Sequence, residues 1–398
     1  MAKTIVVIGT GYVGLPVAIM LANAGYEVVG VDIDKNIVEA INSGEMHINE
    51  DELQDLMSQP NVRKNLRAEG QPCQGDVFII AVPTPLDKRK KIADLNYVID
   101  AIESIIPVMK KGNLIIIEST IPPYTCREVI IPRITKESLV VGEDIMLAHC
   151  PERILPGNIF HEILYNDRII GGINEKSAKA AKKIYESFVK GSLFLTDDIS
   201  AELCKLMENT YRDVNIALAN EFAAVGETLG IDIKRAIELA NQHPRVNILN
   251  PGIGVGGHCI PIDPWFIKEV DPENCSLIFT ARKINDQMPI RTAAKIRRAV
   301  SHLKDPAIIA LGATYKPNTE DLRESPALEV VRILSEDGYN IKLYDPLAKG
   351  YSYNSLEDIV KETDCLAILV EHDVLMEELR EKEALIKELM RNQILLRF

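Results

Sequence analysis

A glycine-rich turn near the start of the chain constrains the fold more than any other feature. Residues 4–8 form an apolar run typical of a buried strand, and an apolar helical pattern ends at Gly25; between them lies Gly9-Thr10-Gly11-Tyr12-Val13-Gly14. In this order the first glycine permits a tight turn, the second lets the backbone approach a pyrophosphate, and the third lets helix and strand pack closely. The sequence therefore predicts a dinucleotide-binding unit with cofactor contacts at Gly9, Gly11, Tyr12, Val13 and Gly14.

An acidic residue follows the second predicted strand, residues 27–31. Asp32 lies eighteen residues after Gly14, where a carboxylate accepts hydrogen bonds from the adenosine ribose and repels a 2′-phosphate. This position predicts NAD rather than NADP as the cofactor. The alternative is that Asp32 only ends the strand ahead of a helix capped by Asp34.

Four further apolar runs, at residues 77–82, 114–118, 145–149 and 168–171, alternate with helical patterns. This alternation indicates a doubly wound α/β domain, in which ligands bind beyond the carboxyl ends of the strands. Thr84 and Thr120 follow two of these strands and would hydrogen-bond the cofactor, although threonine beside proline is also common in turns. Glu152 and Arg153 follow a third strand, and we expect this charged pair at the mouth of the crevice.

A long helical pattern covers residues 200–229 and stops at Gly230. Lys205, Asn209 and Arg212 fall at i, i+4 and i+7, on one face of that helix. A solvated surface is the usual explanation for such a polar stripe, but residues 216–225 are apolar around most of the helix. We therefore expect a helix that is buried between domains or subunits, whose polar stripe needs a partner such as a substrate. The same helix predicts a homodimer or a larger homo-oligomer.

A second nucleotide-domain-like pattern begins near residue 306 and lacks the glycine signature. It comprises a strand at 307–311, a loop at 312–326, a helix at 327–337 and strands at 340–344, 364–370 and 393–396. Lys316 and Arg323 in its first loop would hold a pyrophosphate, unless the loop is simply solvated and rich in charge. The expected domains are residues 1–190 for an NAD-binding Rossmann domain, 191–300 for a central helical domain and 301–398 for a second Rossmann-like domain.

Residues 252–264 place a cysteine, Cys259, among glycines and prolines. A thiol beside a nicotinamide suggests an oxidation that continues past the aldehyde. The glycines would let backbone and substrate approach closely, His258 would favour the thiolate, and Asp263 is a candidate polar partner. A cysteine taken at random is more often an ordinary buried thiol, but the dinucleotide motif upstream favours a nucleophile.

Composition favours a soluble cytoplasmic enzyme. The 398 residues suffice for two to three domains, and no apolar run approaches the ~20 residues that span a membrane. Seven cysteines without a C-x-x-C pair favour reduced thiols over a disulfide framework or a zinc site, so no metal is expected. The formal net charge of −13 disfavours nucleic acid as a partner. An anionic substrate would need positive charges that are gathered locally.

Four motifs together resemble the UDP-sugar 6-dehydrogenase family over essentially the whole chain. They are the glycine-rich turn at 9–16, the helix at 201–212, the cysteine loop at 256–261 and the stretch Lys-Pro-Asn-Thr-Glu-Asp-Leu-Arg-Glu-Ser-Pro at 316–326. UDP-glucose dehydrogenases carry serine before the nucleophilic cysteine and an aromatic residue after it, whereas His258 and Ile260 stand there in this chain. The stretch Asp-Pro-Trp-Phe at 263–266 is more similar to the N-acetylmannosamine branch than to the N-acetylglucosamine branch.

The resemblance implies an NAD-dependent four-electron oxidation of C6 of a UDP-N-acetylhexosamine to the carboxylate, with two NAD consumed. It makes Lys205 the acid/base or electrostatic partner of the C6 oxygen, helped by Asn209 and Asp263. It makes Cys259 the nucleophile that forms a thiohemiacetal and a thioester, and Glu152 the residue that orients or deprotonates the hydrolytic water. Positions that match family contacts to the UDP-sugar or cofactor are Arg153, Ile154, Lys205, Asn209, Arg212, His243, Arg245, Gly254, His258, Tyr315, Lys316 and Arg323.

Two other classes of function stay open at this point. A single-step NAD dehydrogenase would share the first domain and the long helix, but it would have no use for the Cys259 loop. A non-catalytic sensor of NAD or of a nucleotide sugar would keep Asp32 and would need neither Lys205 nor Cys259. The number of NADH formed per sugar separates these classes.

Overall fold

The protein has an α/β fold, as predicted, and its chain divides into two compact units. The computed structural model describes residues 3–48, 50–136, 138–154, 157–353 and 355–398. The first unit comprises Met1–Met207 and Trp265–Asp271, and the second comprises Glu208–Pro264 and Pro272–Phe398. The three-domain division at residues 190 and 300 stays a prediction.

The first unit contains ten strands among its described residues. They are β1 (Thr4–Ile8), β2 (Glu27–Val31), β3 (Leu66–Glu69), β4 (Val77–Ile80), β5 (Leu86–Asp87), β6 (Ile92–Ala93), β7 (Leu114–Ile117), β8 (Met146–His149), β9 (Arg168–Gly172) and β10 (Leu193–Asp197). Eight of them form one sheet in the order β10-β9-β8-β7-β4-β1-β2-β3, and β5 pairs with β6 as a hairpin. The order β3-β2-β1-β4-β7-β8 is that of a doubly wound dinucleotide-binding sheet.

The direction of one strand could not be read from the sequence. The pairs from β3 to β8 are parallel, whereas β9 runs antiparallel to β8 and parallel to β10. The strands β3, β5, β6 and β10 were also not predicted. The last three are short or partly exposed, so their apolar patterns are weak.

The sheet of the first unit is covered on both faces, which explains its continuous apolar strands. Side chains alternate along β1, because Ile5 and Val7 pack into one core cluster and Val6 and Ile8 into another. The helices that accompany these strands are α1 (Gly14–Asn23), α2 (Lys35–Ser43), α3 (Asp51–Met57), α4 (Pro60–Asn65), α5 (Asn96–Ile105), α6 (Ile131–Thr135), α7 (Ile159–Tyr165) and α8 (Glu175–Tyr185).

Two of the three boundaries between the units fall within helices, α9 (Asp198–Leu229) and α11 (Asp263–Val270), and the third lies just after α11. The 32-residue α9 is the long helix predicted from the sequence. Along its second half Ala217, Ala219 and Asn220 are buried, whereas Leu218 and Val225 are exposed. The expectation that this helix is buried between domains or subunits stays a prediction. No helix among the described residues is long and apolar enough to cross a membrane.

The second unit contains a second parallel sheet, in the order β12-β11-β13-β14. Its strands are β11 (Ala307–Leu311), β12 (Asn340–Tyr344), β13 (Cys365–Ile368) and β14 (Ile394–Arg397). Alternate residues of β11 again enter two separate cores, so this is the second doubly wound layer that the sequence predicted. The helices that lie wholly in this unit are α10 (Ile233–Ala240), α12 (Ser276–Val300), α13 (Pro326–Glu336), α14 (Leu356–Val360), α15 (Asp373–Glu381) and α16 (Glu383–Leu389).

Candidate active site

The glycine-rich turn after β1 is built as its spacing predicts. Gly9 has φ +86°, a conformation that side chains with a Cβ rarely adopt. A Cβ on Gly14 would lie 1.9 Å from the Gly9 carbonyl oxygen, so helix α1 packs against the turn only because residue 14 is glycine. A Cβ on Gly11 would meet no heavy atom within 4 Å. Gly11 therefore leaves open space at the start of the helix, where a pyrophosphate binds in this fold.

Asp32 follows β2 and is held by the same turn. Its Oδ2 accepts hydrogen bonds from the Thr10 amide at 3.0 Å and the Thr10 hydroxyl at 2.9 Å, and its Oδ1 accepts one from the Asp34 amide at 3.0 Å. The cap of helix α2 is Asp34, whose side chain accepts from Asn36. Because a carboxylate has about four lone-pair directions, Asp32 retains acceptor capacity for a ribose hydroxyl.

Two threonines lie on loops that follow strands of the same sheet. Thr84 is buried, and its hydroxyl has no hydrogen-bond partner within the described part of the chain, while Thr120 is half-buried. A buried orphan hydroxyl is costly unless a ligand satisfies it. Three features therefore fit a bound dinucleotide: the unsatisfied Thr84 hydroxyl, the open space beside Gly11 and the Asp32 carboxylate that Thr10 holds.

The loop after β8 holds Glu152 in an environment that the sequence did not suggest. Glu152 is buried; its Oε1 accepts from the Arg153 amide at 2.7 Å, and its Oε2 lies 2.5 Å from Nη2 of Arg168. The Arg153 guanidinium donates to the Asp167 carbonyl, and Ile154 packs against the core. Arg168 is thus a cation beside the Glu152 carboxylate. The expectation that Glu152 and Arg153 lie at the mouth of the crevice stays a prediction.

Lys205 of α9 is tied to this loop, because its ammonium donates to the Glu152 carbonyl oxygen at 2.7 Å. The positive charge of Lys205 also acts on His149, the last residue of β8. Burial, reinforced by that charge, lowers the pKa of His149 to about 3, so the imidazole is neutral at physiological pH. Lys205 is thus positioned within the first unit at the carboxyl end of β8, as the doubly wound topology requires for a site residue.

Arg168, Glu118 and Tyr185 were not predicted as functional residues, and each is buried. Nη1 of Arg168 lies 3.8 Å from Glu118 Oε1, the Tyr185 hydroxyl donates to the same oxygen at 2.6 Å, and the Arg168 guanidinium lies 4.8 Å from the Tyr185 ring centroid. Burial, together with the charge of Glu152, raises the pKa of Glu118 to about 8 despite the nearby arginine. The sequence signal was a lone arginine at the head of an apolar strand.

In the second unit, Asn209 and Asp263 contact each other. The Asn209 amide donates to Asp263 Oδ2 at 2.5 Å, and Arg212 donates to the Asn209 side-chain oxygen. Asn209 and Asp263 are both buried. Asn209 and Arg212 therefore lie on one face of α9, as their spacing predicts. Asp263 is an additional hydrogen-bond partner of Asn209.

Cys259 lies half-buried in a loop that packs against Tyr315. Its sulfur is 3.9 Å from Nδ1 of His258. The surrounding protein reduces the hydration of the His258 ring, and Arg323 adds a repelling charge, so the pKa of His258 is lowered. The lowered pKa favours the uncharged ring, which can accept a proton from the thiol. The expectation that His258 favours the thiolate stays a prediction.

The loop after β11 holds the candidates Tyr315, Lys316 and Arg323. Lys316 lies 5.7 Å from the Tyr315 ring centroid, and Arg323 is paired with Asp321 at 2.7 Å. Asp345, which follows β12 as Asp32 follows β2, accepts from the Ala313 amide at 2.6 Å and fixes this loop. The sequence offered the same strand-end signal for Asp345, but without a glycine motif to draw attention to it.

Three further candidates differ in their surroundings. His243 and Arg245 are exposed on the segment after α10, and the Arg245 amide donates to the His243 ring at 3.3 Å. Gly254 has φ +138°, and a Cβ there would lie 3.1 Å from Pro326. His243 and Arg245 are thus accessible to a ligand, whereas Gly254 is required by the backbone.

Comparison with known proteins agrees with this arrangement. Residues 3–189, 199–287 and 309–396 match the NAD binding, central and UDP binding domains of the UDP-glucose/GDP-mannose dehydrogenase family. The UDP-N-acetyl-D-mannosamine dehydrogenase of Methanocaldococcus jannaschii is 52% identical over 93% of this chain and 86% of its own length.

Two solved structures are similar as well. That of UDP-D-ManNAc dehydrogenase from Pyrococcus horikoshii has a TM-score of 0.93 at 43% identity, covering 99% of this chain and 94% of the other. That of the UDP-N-acetyl-mannosamine dehydrogenase from Staphylococcus aureus has a TM-score of 0.88 at 39% identity, with the same coverage of the two chains.

The fold, the dinucleotide turn and the cysteine loop define an NAD-dependent dehydrogenase. The chain belongs to the UDP-glucose/GDP-mannose dehydrogenase family. The resemblance seen in the sequence is thereby confirmed, as is NAD as the cofactor.

Proposed function

We propose that the protein oxidises C6 of UDP-N-acetyl-D-mannosamine to the carboxylate, giving UDP-N-acetyl-D-mannosaminuronate. The observation that carries the proposal is the Cys259 loop, in which a half-buried thiol lies 3.9 Å from the ring of His258, whose pKa is lowered. A two-electron dehydrogenase has no need of such a thiol. The choice of sugar is supported by the names of the relatives with 47–52% identity.

The residues divide the chemistry between them. NAD would be held by the glycine-rich turn at Gly9–Gly14 and by Asp32, and it would supply the hydride acceptor for each of the two oxidations. The ammonium of Lys205 stabilises the negative charge on the C6 oxygen, and Lys205 is also the acid/base partner of that oxygen. The Asn209–Asp263 pair assists Lys205 in this role. The Cys259 sulfur adds to the C6 aldehyde, and after the second oxidation it holds the sugar as a thioester. Water then cleaves the thioester, which releases the carboxylate and returns the thiol.

An acidic chain that binds an anionic nucleotide sugar needs a local excess of positive charge. The formal net charge is −13, but several of the candidate substrate contacts are cations, and they would provide that local field: Arg153, Arg212, Arg245, Lys316 and Arg323. Of these, Arg212, Arg245 and Arg323 are exposed.

The decisive experiment counts NADH per sugar. We expect two NADH per UDP-N-acetylmannosamine and slower turnover of UDP-N-acetylglucosamine and UDP-glucose assayed in parallel. Cys259→Ser should bind substrate and NAD yet fail to complete turnover, because a hydroxyl has a much higher pKa than a thiol. Cys73→Ser is the matched control, since Cys73 is also half-buried but lies outside the candidate site. One NADH with release of the aldehyde, or wild-type turnover by Cys259→Ser, would refute the proposal.

We also propose that the protein works as a homodimer or larger homo-oligomer built on α9. Exposed apolar side chains follow one face of the helix: Tyr211, Leu218, Phe222, Val225 and Leu229. Their spacing of three, four or seven residues is that of one helix face, and such a stripe favours burial against a second copy. Phe222→Glu should lower the sedimentation coefficient, whereas Val374→Glu, at an exposed valine on α15, should not. A wild-type monomer at micromolar concentration would contradict the proposal.

We place the reaction in the cytoplasm because the proposed nucleophile must stay reduced and NAD must be supplied. The buried thiols of Cys126, Cys150 and Cys365 agree with a reducing compartment. Fractionation of the source cells, with NADH formation as the readout, tests this.

A further inference from the structure

The buried residues Arg168, Glu118 and Tyr185 lie beside Glu152 and support an inference that rests on the proposed function. We propose that Arg168 is a positioning residue for thioester hydrolysis, because Arg168 holds the Glu152 carboxylate in place. Arg168 is at the same time shared with a second buried carboxylate, that of Glu118. Neither Arg168 nor Glu118 emerged from the sequence as a site residue.

The geometry of the sheet explains how Arg168 reaches Glu152. Ala148 of β8 pairs with Gly172 of β9, and His149 pairs with Gly171. Continuing this antiparallel register past the end of β8 places residue 168 opposite residue 152, and Nη2 of Arg168 does lie 2.5 Å from Glu152 Oε2. A parallel β9 would have placed residue 168 at the opposite edge of the sheet. The reversed strand therefore has a function: it brings a cation to the carboxyl end of β8.

The charges of the cluster leave Arg168 with two possible partners. The Arg168 and Glu118 side chains are about fully buried, at 4% and 0% exposed, and that of Glu152 is 7% exposed. One cation cannot compensate two ionised carboxylates in such surroundings. The shorter contact is to Glu152, at 2.5 Å, and the longer is to Glu118, at 3.8 Å. Glu118 also accepts a hydrogen bond from the Tyr185 hydroxyl. Among the described residues, Glu118 Oε2, Glu152 Oε2 and both Nη atoms of Arg168 have no hydrogen-bond partner, so the contacts of Arg168 with the two carboxylates are ion pairs.

Glu118 is accordingly the member of the cluster that changes charge near neutral pH. The groups that act on it are Arg168, Glu152 and Tyr185, with Cys150 as the other titratable neighbour. Burial raises the pKa of Cys150 to about 12 and that of Tyr185 well above its usual range, so both stay protonated. The pKa of Glu118 is raised to about 8, chiefly by burial. Below that pH Glu118 is neutral, and Arg168 pairs with Glu152 alone. Above it Glu118 is ionised and competes for the same guanidinium.

The first test separates hydrolysis from hydride transfer. In Arg168→Met, mixed with UDP-N-acetylmannosamine and NAD, we expect a first-turnover burst of NADH followed by turnover slowed about 10- to 100-fold, the range for losing a partner of a buried charged group. Intact-protein mass spectrometry should show the sugar acyl group accumulating on Cys259. Arg127→Met is the control, because the 45% exposed Arg127 also pairs with a buried carboxylate, that of Asp198 at 2.8 Å, in the same unit. It should show no adduct.

The second test uses a variant that removes no buried side chain. Glu118→Gln keeps the volume of the side chain and its acceptor for Tyr185 but cannot ionise. Wild-type hydrolysis should fall as pH rises through about 8, and the Glu118→Gln variant should lack that fall.

Each outcome is decisive. Three results would overturn the inference. They are an equal loss of the NADH burst and the steady-state rate in Arg168→Met, an acyl adduct in the Arg127→Met control, and an unchanged fall of the hydrolysis rate at alkaline pH in Glu118→Gln. If the wild type itself forms no NADH from the sugar, the proposed function fails instead, and the inference fails with it.

Discussion

Replacing Gly257 with alanine should damage both stability and catalysis, because the Cys259 loop has no room for a side chain at this position. Gly257 has φ +89°, and a Cβ there would lie 2.9 Å from Cε2 of the Tyr315 ring. The backbone strain costs about 1–3 kcal/mol, and the crowding costs about 1–3 kcal/mol. Tyr315 is half-buried and its ring can yield partly, so we expect a total of about 2–4 kcal/mol.

The catalytic effect follows from the position of Cys259 two residues later. If the loop relieves the contact by moving, a displacement of ~1 Å at the sulfur lowers the rate about 100-fold. Urea unfolding followed by circular dichroism measures the stability, and NADH formed in a single turnover measures the chemistry. The control is Gly252→Ala in the same loop, where a Cβ would meet no atom within 4 Å and the free energy of unfolding should change by about 0.5 kcal/mol or less. Equal behaviour of the two variants would refute the reasoning.

Three further predictions follow from the first unit. Gly14→Ala should prevent normal folding, since its Cβ would lie 1.9 Å from the Gly9 oxygen, whereas Gly11→Ala should fold and bind NAD more weakly by calorimetry; equal NAD affinity in Gly11→Ala and the wild type would contradict the second half. Asp32→Asn should reduce the preference for NAD over NADP in kcat/KM, and an unchanged preference would show that Asp32 does not face the ribose. Glu118 has a raised pKa of about 8 in the fold, so its ionised form is disfavoured there and the free energy of unfolding should fall as pH rises from about 4.5 to 8; Glu118→Gln should flatten that part of a pH series of urea midpoints.

The sequence determined the fold class because its strongest signals are local. The strand, turn and helix around Gly9 and Gly14 lie within about twenty residues, and their spacing has only a few physical solutions. The polar stripe of α9 is equally local: helix periodicity alone predicted that Asn209 and Arg212 would share a face, and the two side chains contact each other. The Cys259 loop was recognisable for the same reason, since a thiol among glycines is unusual wherever it folds.

Tertiary structure alone decided what surrounds these residues. Arg168, Glu118 and Glu152 are separated by 16 to 50 positions in the chain and meet only because β7, β8 and β9 are neighbours and β9 is reversed. No periodicity in the sequence records the direction of a strand, because the side chains of a strand alternate in the same way whichever way it runs. The protonation of His258 and Glu118 depended on the same information, since burial and distant charges shift a pKa only after the chain has brought them together.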